Sequence, residues 1–141
     1  MSTTRISKIA APGSLFKSGK PHRKLKATGR EPRERDEAHL DAIRQCPCIR
    51  CGIDPAGEAA HLRLTAPGKP NAGIGSKPHD RYVLPLCRED HDEQHRIGEV
   101  KFWKDVGIDP LVMAERLYRV SPNTEAMRSL VWAAQAIAGA E

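Results

Sequence analysis

A chain of 141 residues is long enough for one modest core and too short for two. Charged residues make up 29% and aromatics 4%, and no segment approaches the roughly 20 apolar residues of a membrane-spanning helix, which excludes a helical membrane protein. The formal charge of +5 is uneven: residues 1–35 carry ten Lys/Arg against two Glu, a net +8, which leaves −3 for the rest.

A basic arm on a near-neutral body is a layout suited to polyanions. Lys20, Arg23, Lys24 and Lys26 lie in this arm, among scattered Gly and Pro with no sustained hydrophobic period, so it is expected to be disordered and to contact DNA phosphates by charge alone. The basic start has no apolar stretch after it, so a secretory signal is not expected and the cytoplasm is the expected compartment. Four cysteines in that compartment suggest metal ligands before disulfides.

Asp36 to Gln45 is a short helix candidate with Leu40 and Ile43 three apart. Next comes Cys46-Pro-Cys48-Ile-Arg-Cys51-Gly52, in which Cys48 and Cys51 form a CxxC before a turn glycine. That is the shape of a zinc knuckle; a redox CxxC is the alternative, but no thioredoxin-like βαβ pattern surrounds it. Glu58 to Leu64 reads as a strand, 65–79 as a long loop, and Arg81 to Cys87 as a second strand placed at a sheet edge by Pro85. Lys69 and Lys77 in the loop are candidate phosphate contacts, whereas Gly73-Ile-Gly75 is too short for a phosphate cradle.

A helix is expected from about Glu89 to Val106, bent at Gly98, with Ile97, Val100 and Trp103 buried against the sheet. Asp109-Pro110 and Ser121-Pro122 both read as helix starts, giving two C-terminal helices with apolar stripes that look structural. The expected architecture is α+β: a basic arm over 1–35, a domain over 36–108 built on two strands and a helix, and helices over 109–141 packed on it or extending it.

If the strands form an antiparallel hairpin, its open end brings Cys87 beside Cys48 and Cys51. Three thiolates then want a fourth ligand, either Asp90, three residues after Cys87, or Cys46. His91 and His95 sit four apart on one helix face and can share a metal ion. Both can face His61 on the first strand and Asp80 at the mouth of the second. One thiolate site, closed and structural, and one open site with N and O ligands is the division that metal-assisted hydrolysis needs.

Residues 46–105 resemble the HNH, or ββα-metal, nuclease superfamily, and more narrowly a phage and prophage branch similar to the Ref-type, RecA-dependent recombination-enhancement nuclease. The matching pieces are Cys48-x-x-Cys51, Ala60-His61-Leu62-Arg63, Lys77-x-x-Asp80, Val83-Leu-Pro-Leu-Cys87, His91-x3-His95, Gly98-Glu99 and Phe102-Trp103. The resemblance implies a small ββα-metal core that cleaves DNA phosphodiesters with a divalent metal, in a bacterial host cell and encoded by a phage or prophage. A RecA-type filament is an implied partner. His61 would be the general base, His91 and His95 would hold Mg²⁺ or Mn²⁺, Asp80 would complete or orient that shell, and a structural Zn²⁺ would sit at the cysteines. Arg63, Lys77 and Arg96 would contact phosphate. Two positions depart from the pattern: Ala60 stands where an acidic or histidine ligand is usual, and Asp90 where Cys or His is usual. The rival readings are a non-catalytic, zinc-stabilised DNA-binding module and an RNA-binding or protein-interaction adaptor.

Overall fold

The structure, a computed structural model, describes residues 32–70 and 77–139. The expected arm up to residue 31 and the Gly73–Gly75 stretch lie outside the described residues. The chain divides into Met1–Pro32 and Arg33–Glu141, and every described helix and strand belongs to the second unit.

Asp36 caps helix α1 (Glu37–Arg44), its carboxylate accepting the His39 N–H at 3.0 Å. The expected stripe of Leu40, Ala42 and Ile43 is buried. The chain then turns tightly: the Cys48 N–H donates to the Ile53 carbonyl at 2.8 Å and the Gly52 N–H to the Cys48 carbonyl at 2.9 Å. Gly52 takes φ +80, a region a side chain rarely adopts.

Strand β1 (Glu58–His61) pairs antiparallel with β2 (Val83–Leu86), Glu58 opposite Leu86 and His61 opposite Val83. Both strands are shorter than their apolar patterns, for a visible reason. The Leu62 N–H still reaches the Tyr82 carbonyl at 2.8 Å, but the Arg63 and Leu64 N–H groups turn to the Glu99 carboxylate at 2.9 and 3.1 Å. Pro85 tolerates its place because its carbonyl faces away from β1 and accepts the Ile49 N–H at 3.0 Å, so the missing donor would also have faced outward.

The helix expected over 89–106 is two helices, α2 (Arg88–Ile97) and α3 (Glu99–Val106), broken at Gly98 with φ +90. The break resets the helical phase beyond Gly98: Trp103 is buried, but Val100, expected in the core, is 73% exposed. Helix α4 (Pro110–Val120) starts as expected, the Asp109 carboxylate accepting the Leu111 and Val112 N–H groups at 3.1 and 3.2 Å. Ser121 does not start the last helix. Its N–H closes α4 on the Tyr118 carbonyl and its Oγ lies 2.6 Å from His39 Nδ1. Asn123 instead accepts the Ala126 N–H at 3.1 Å at the head of α5 (Thr124–Gly139).

A two-stranded hairpin alone is marginal in water, and here helices close over it. Both α1 and α2 pack on the two strands, α4 packs on β2, and α5 packs on α1 and α4. Ile43, Ile49, Leu84, Leu86, Phe102, Leu117 and Met127 are buried at the centre. The described residues form a small α+β unit with a two-stranded sheet and five helices. None of these helices is long and apolar enough to cross a membrane. Because Leu84 is fully inaccessible, Leu84→Ala should cost about 2–5 kcal/mol in urea unfolding; a loss below about 1 kcal/mol would place Leu84 outside the core.

Candidate metal centre and histidine site

Cys48 and Cys51 come from the turn after α1, Cys87 ends β2, and Asp90 lies in the first turn of α2. Their ligand atoms all fall within 4.8 Å of one another, and they form the one such group of three or more His, Cys, Asp or Glu among the described residues. Cys51 and Cys87 have their sulfurs 3.7 Å apart, and Asp90 Oδ2 lies 3.1 Å from Cys48 Sγ and 3.3 Å from Cys87 Sγ. Sulfurs each about 2.3 Å from a tetrahedral zinc stand roughly 3.8 Å apart, so the donors fit such an ion.

Burial pushes the thiols of Cys48, Cys51 and Cys87 up, so without a cation they hold their protons. Burial would also raise the Asp90 carboxyl, but hydrogen bonds from the three thiols, with Arg50 at 3.0 Å, hold it below its usual value. A bound cation releases the thiol protons and replaces those hydrogen bonds with ligation. Cys46, the alternative fourth ligand, is not part of the group. Its Sγ donates to the Ala42 carbonyl at 3.3 Å inside the core, and burial pushes its thiol up to about 11.

Helix α5 braces this knuckle from outside. Gln135 Nε2 donates to the Cys48 carbonyl at 2.8 Å, and Arg128 pairs with Asp54 and donates to the Gln45 carbonyl at 2.8 Å. Trp132 and Gln135 stand against the α-carbon of Gly52.

At the other end of the hairpin, His61 Nε2 lies 2.9 Å from Asp80 Oδ1. Asp80 is 1% exposed, and its two oxygens also accept Arg33 Nη2 at 2.6 Å and the Asp36 N–H at 2.9 Å. Burial would raise this carboxyl, but the hydrogen bonds from His61, Asp36 and Arg33 outweigh it and hold it at about 2. A carboxylate can only accept, so His61 carries its proton on Nε2 and keeps Nδ1 as the acceptor. Burial lowers the His61 pKa more than Asp80 raises it, keeping the ring neutral at pH 7.

On α2, His91 Nε2 and His95 Nε2 are 3.2 Å apart, and His91 Nδ1 lies 2.6 Å from Glu58 Oε2. Two nitrogens about 2.1 Å from one ion stand roughly 3.0–3.4 Å apart for angles between right and tetrahedral, so the pair fits a shared cation. Glu58 plays the carboxylate that orients a ligating imidazole from behind. It was missed in the sequence, although its place one register step from the Cys87–α2 junction was the signal. Helix α2 meets β1 where His91 reaches Glu58, and beyond Gly98 the Glu99 carboxylate of α3 accepts the Arg63 N–H.

The predicted four-residue convergence therefore splits. His61 joins Asp80, and His91 joins His95. Asp80 does not complete the histidine metal shell, since both of its oxygens are already committed. Among the predicted phosphate contacts, Arg63 and Lys77 are exposed. Arg96 is held by Glu93 at 2.5 and 2.7 Å. Lys69 is not a free surface charge: it is 9% exposed, with its ammonium over the Tyr82 ring. Lys20, Arg23, Lys24 and Lys26 lie outside the described residues. Arg33, counted with the arm by charge, belongs to the folded unit because it holds Asp80.

The chain belongs to the family described as "Protein of unknown function (DUF968)", which matches residues 20–121. It is 41% identical over 59 residues to "Uncharacterized protein YdfU" of Escherichia coli (strain K12). That alignment covers 42% of this chain and 16% of the relative, so the chain spans a small part of that protein's length. No solved structure matches.

Purified protein should carry one zinc per chain by elemental analysis. Cys87→Ser should lose the metal and lower the thermal midpoint by at least about 4–8 °C, equivalent to roughly 1 kcal/mol in a domain of this size. Metal-free wild-type protein that melts at the same temperature as the metal-loaded protein would remove the structural role.

Proposed function

We propose that the chain is a metal-dependent DNA endonuclease of the ββα-metal kind, which hydrolyses phosphodiester bonds with water activated by His61. The observation that carries this reading is a neutral histidine fixed by a buried aspartate at the end of β1, with a histidine pair crossing the same strand on α2.

His61 Nδ1 takes the proton from the attacking water, while Asp80 stabilises the imidazolium that forms and keeps the ring from turning. Asp80 is a positioning residue in this reading, held by Arg33 and the Asp36 N–H. Mg²⁺ or Mn²⁺ held by His91 and His95 would supply charge stabilisation on the phosphoryl oxygens and the leaving oxygen. Arg63 and Lys77, both exposed, would contact flanking phosphates, and the basic arm would add salt-dependent affinity. Zn²⁺ at Cys48, Cys51, Cys87 and Asp90 fixes the junction of β2 with α2. Work on phage or prophage DNA in the bacterial cytoplasm, with a RecA-type filament as partner, follows from the resemblance.

One observation favours a second reading. Ala60 is fully buried where the resemblance puts a metal ligand, which suits a zinc-stabilised DNA-binding module without cleavage. Plasmid, single-stranded DNA and recombinase-coated DNA, each with Mg²⁺, Mn²⁺ or EDTA, separate the two. Metal-dependent cleavage is expected, with His61→Ala reducing it by roughly 10²–10⁴-fold while binding is retained. Binding without cleavage under every condition would select the second reading.

The pH profile gives an independent check. A protonated His61 cannot accept a proton, so kcat/KM rises with pH through the folded pKa of this group. Burial sets that pKa below the ordinary 6.5, so the acid limb is expected to be centred below pH 6.5. An acid limb centred above 6.5 would remove His61 as the base.

A further inference from the structure

Next to the His61–Asp80 pair is a cavity of about 400 Å³ between the turn at residues 66–69 and helix α4, lined among others by Lys69, Arg81, Tyr82, Val112, Tyr118 and Arg119. Its size falls within the roughly 300–1,000 Å³ of small-ligand sites. Lys69 is nine-tenths buried in its wall, and among the described residues its ammonium has no hydrogen bond or ion pair, only the face of Tyr82 at 5.1 Å. Its three N–H donors are thus open to an anionic ligand, with Glu99 the acidic group whose charge acts on it. Arg81 lies over the Tyr118 ring at 4.5 Å and pairs with Glu34 at 3.6 Å, and its guanidinium is partly exposed and able to stack on a base. Arg119 is exposed beside Glu115. Leu111 and Val112 complete an apolar side.

We propose that this cavity binds one unpaired nucleotide of the DNA strand, with its phosphate at Lys69 and Arg119 and its base against Arg81 and the tyrosine-lined wall. The proposal rests on the nuclease reading and specifies its substrate as DNA with a single-stranded segment beside the scissile bond. Position supports this occupant over a free metabolite. Arg81 and Tyr82 directly follow Asp80, and the Tyr82 carbonyl accepts the Leu62 N–H next to His61. The cavity wall is therefore continuous along the chain with the His61–Asp80 pair. A base paired in a duplex cannot enter it. Stacking of this kind tolerates any base, so the cavity selects unpaired structure rather than sequence.

The test is fluorescence anisotropy with a labelled single-stranded oligonucleotide and a blunt duplex of the same sequence, with Ca²⁺ in place of Mg²⁺ so that binding is read without hydrolysis. The proteins are wild type, Lys69→Gln and Val112→Trp. The last fills the cavity from a 44%-exposed position without changing charge, so it keeps the test meaningful if Lys69→Gln fails to fold. Each variant should weaken single-strand binding roughly ten-fold, about 1.4 kcal/mol, and leave duplex binding unchanged. Wild-type affinity for the single strand in Val112→Trp, equal losses on both DNAs, or no single-strand binding by wild type would each overturn the proposal. Chemical-shift titrations separate the sources of the ligand. Deoxyadenosine monophosphate should shift Lys69, Tyr82 and Val112 weakly, the oligonucleotide should do so more tightly, and inorganic phosphate matching either would overturn the nucleotide assignment. A selective single-strand defect in a protein that never cleaves would leave the cavity standing and remove the nuclease reading; cleavage unaffected by Val112→Trp on single-stranded DNA would do the reverse.

Discussion

The carboxylate of Asp80 joins three stretches of chain. Arg33 and Asp36 approach it from the start of α1, His61 from the end of β1, and Asp80 itself enters β2. A carboxylate removed from water must be fully partnered, and the partners here come from two segments distant from it in the chain. The same contact that anchors the first turn of the fold therefore also fixes the tautomer and angle of His61.

The hairpin has one centre at each end. At the open end, three sulfurs and Asp90 hold the turn after α1, the tip of β2 and the start of α2 together. At the loop end lie Asp80 and His61. Helix α2 runs between them and carries the histidine pair. A sheet of two short strands cannot supply this rigidity through its own ladder, so the polar clusters and the covering helices do it.

The elements were legible in the sequence where a local signal decided them. The Asp109 cap, the CxxC turn and the edge position of Pro85 all follow from single residues and their backbone needs. What escaped depended on partners distant in sequence. Strand length was set by Glu99 capturing the Arg63 and Leu64 N–H groups, and Ser121 was drawn from its capping role by Tyr118 and His39. The cysteine group and the His91/His95 pair could be read from spacing. Glu58 behind His91 and Arg33 behind Asp80 could not, because a lone Glu in a strand and a lone Arg in a basic run carry no mark of the contact they make. Lys69 likewise reads as one more surface cation until the fold buries it.

Glu58 has a consequence of its own. It stands opposite Leu86, whose neighbour Cys87 both belongs to the sulfur cluster and accepts, through its carbonyl, the His91 N–H at 2.9 Å. The ring of His91 is thus tethered to the cluster twice, through its backbone and through the carboxylate beside it. Oxidation of those thiols would loosen the strand tip and helix start together, and the damage would be transmitted to the imidazole pair although neither histidine is chemically altered.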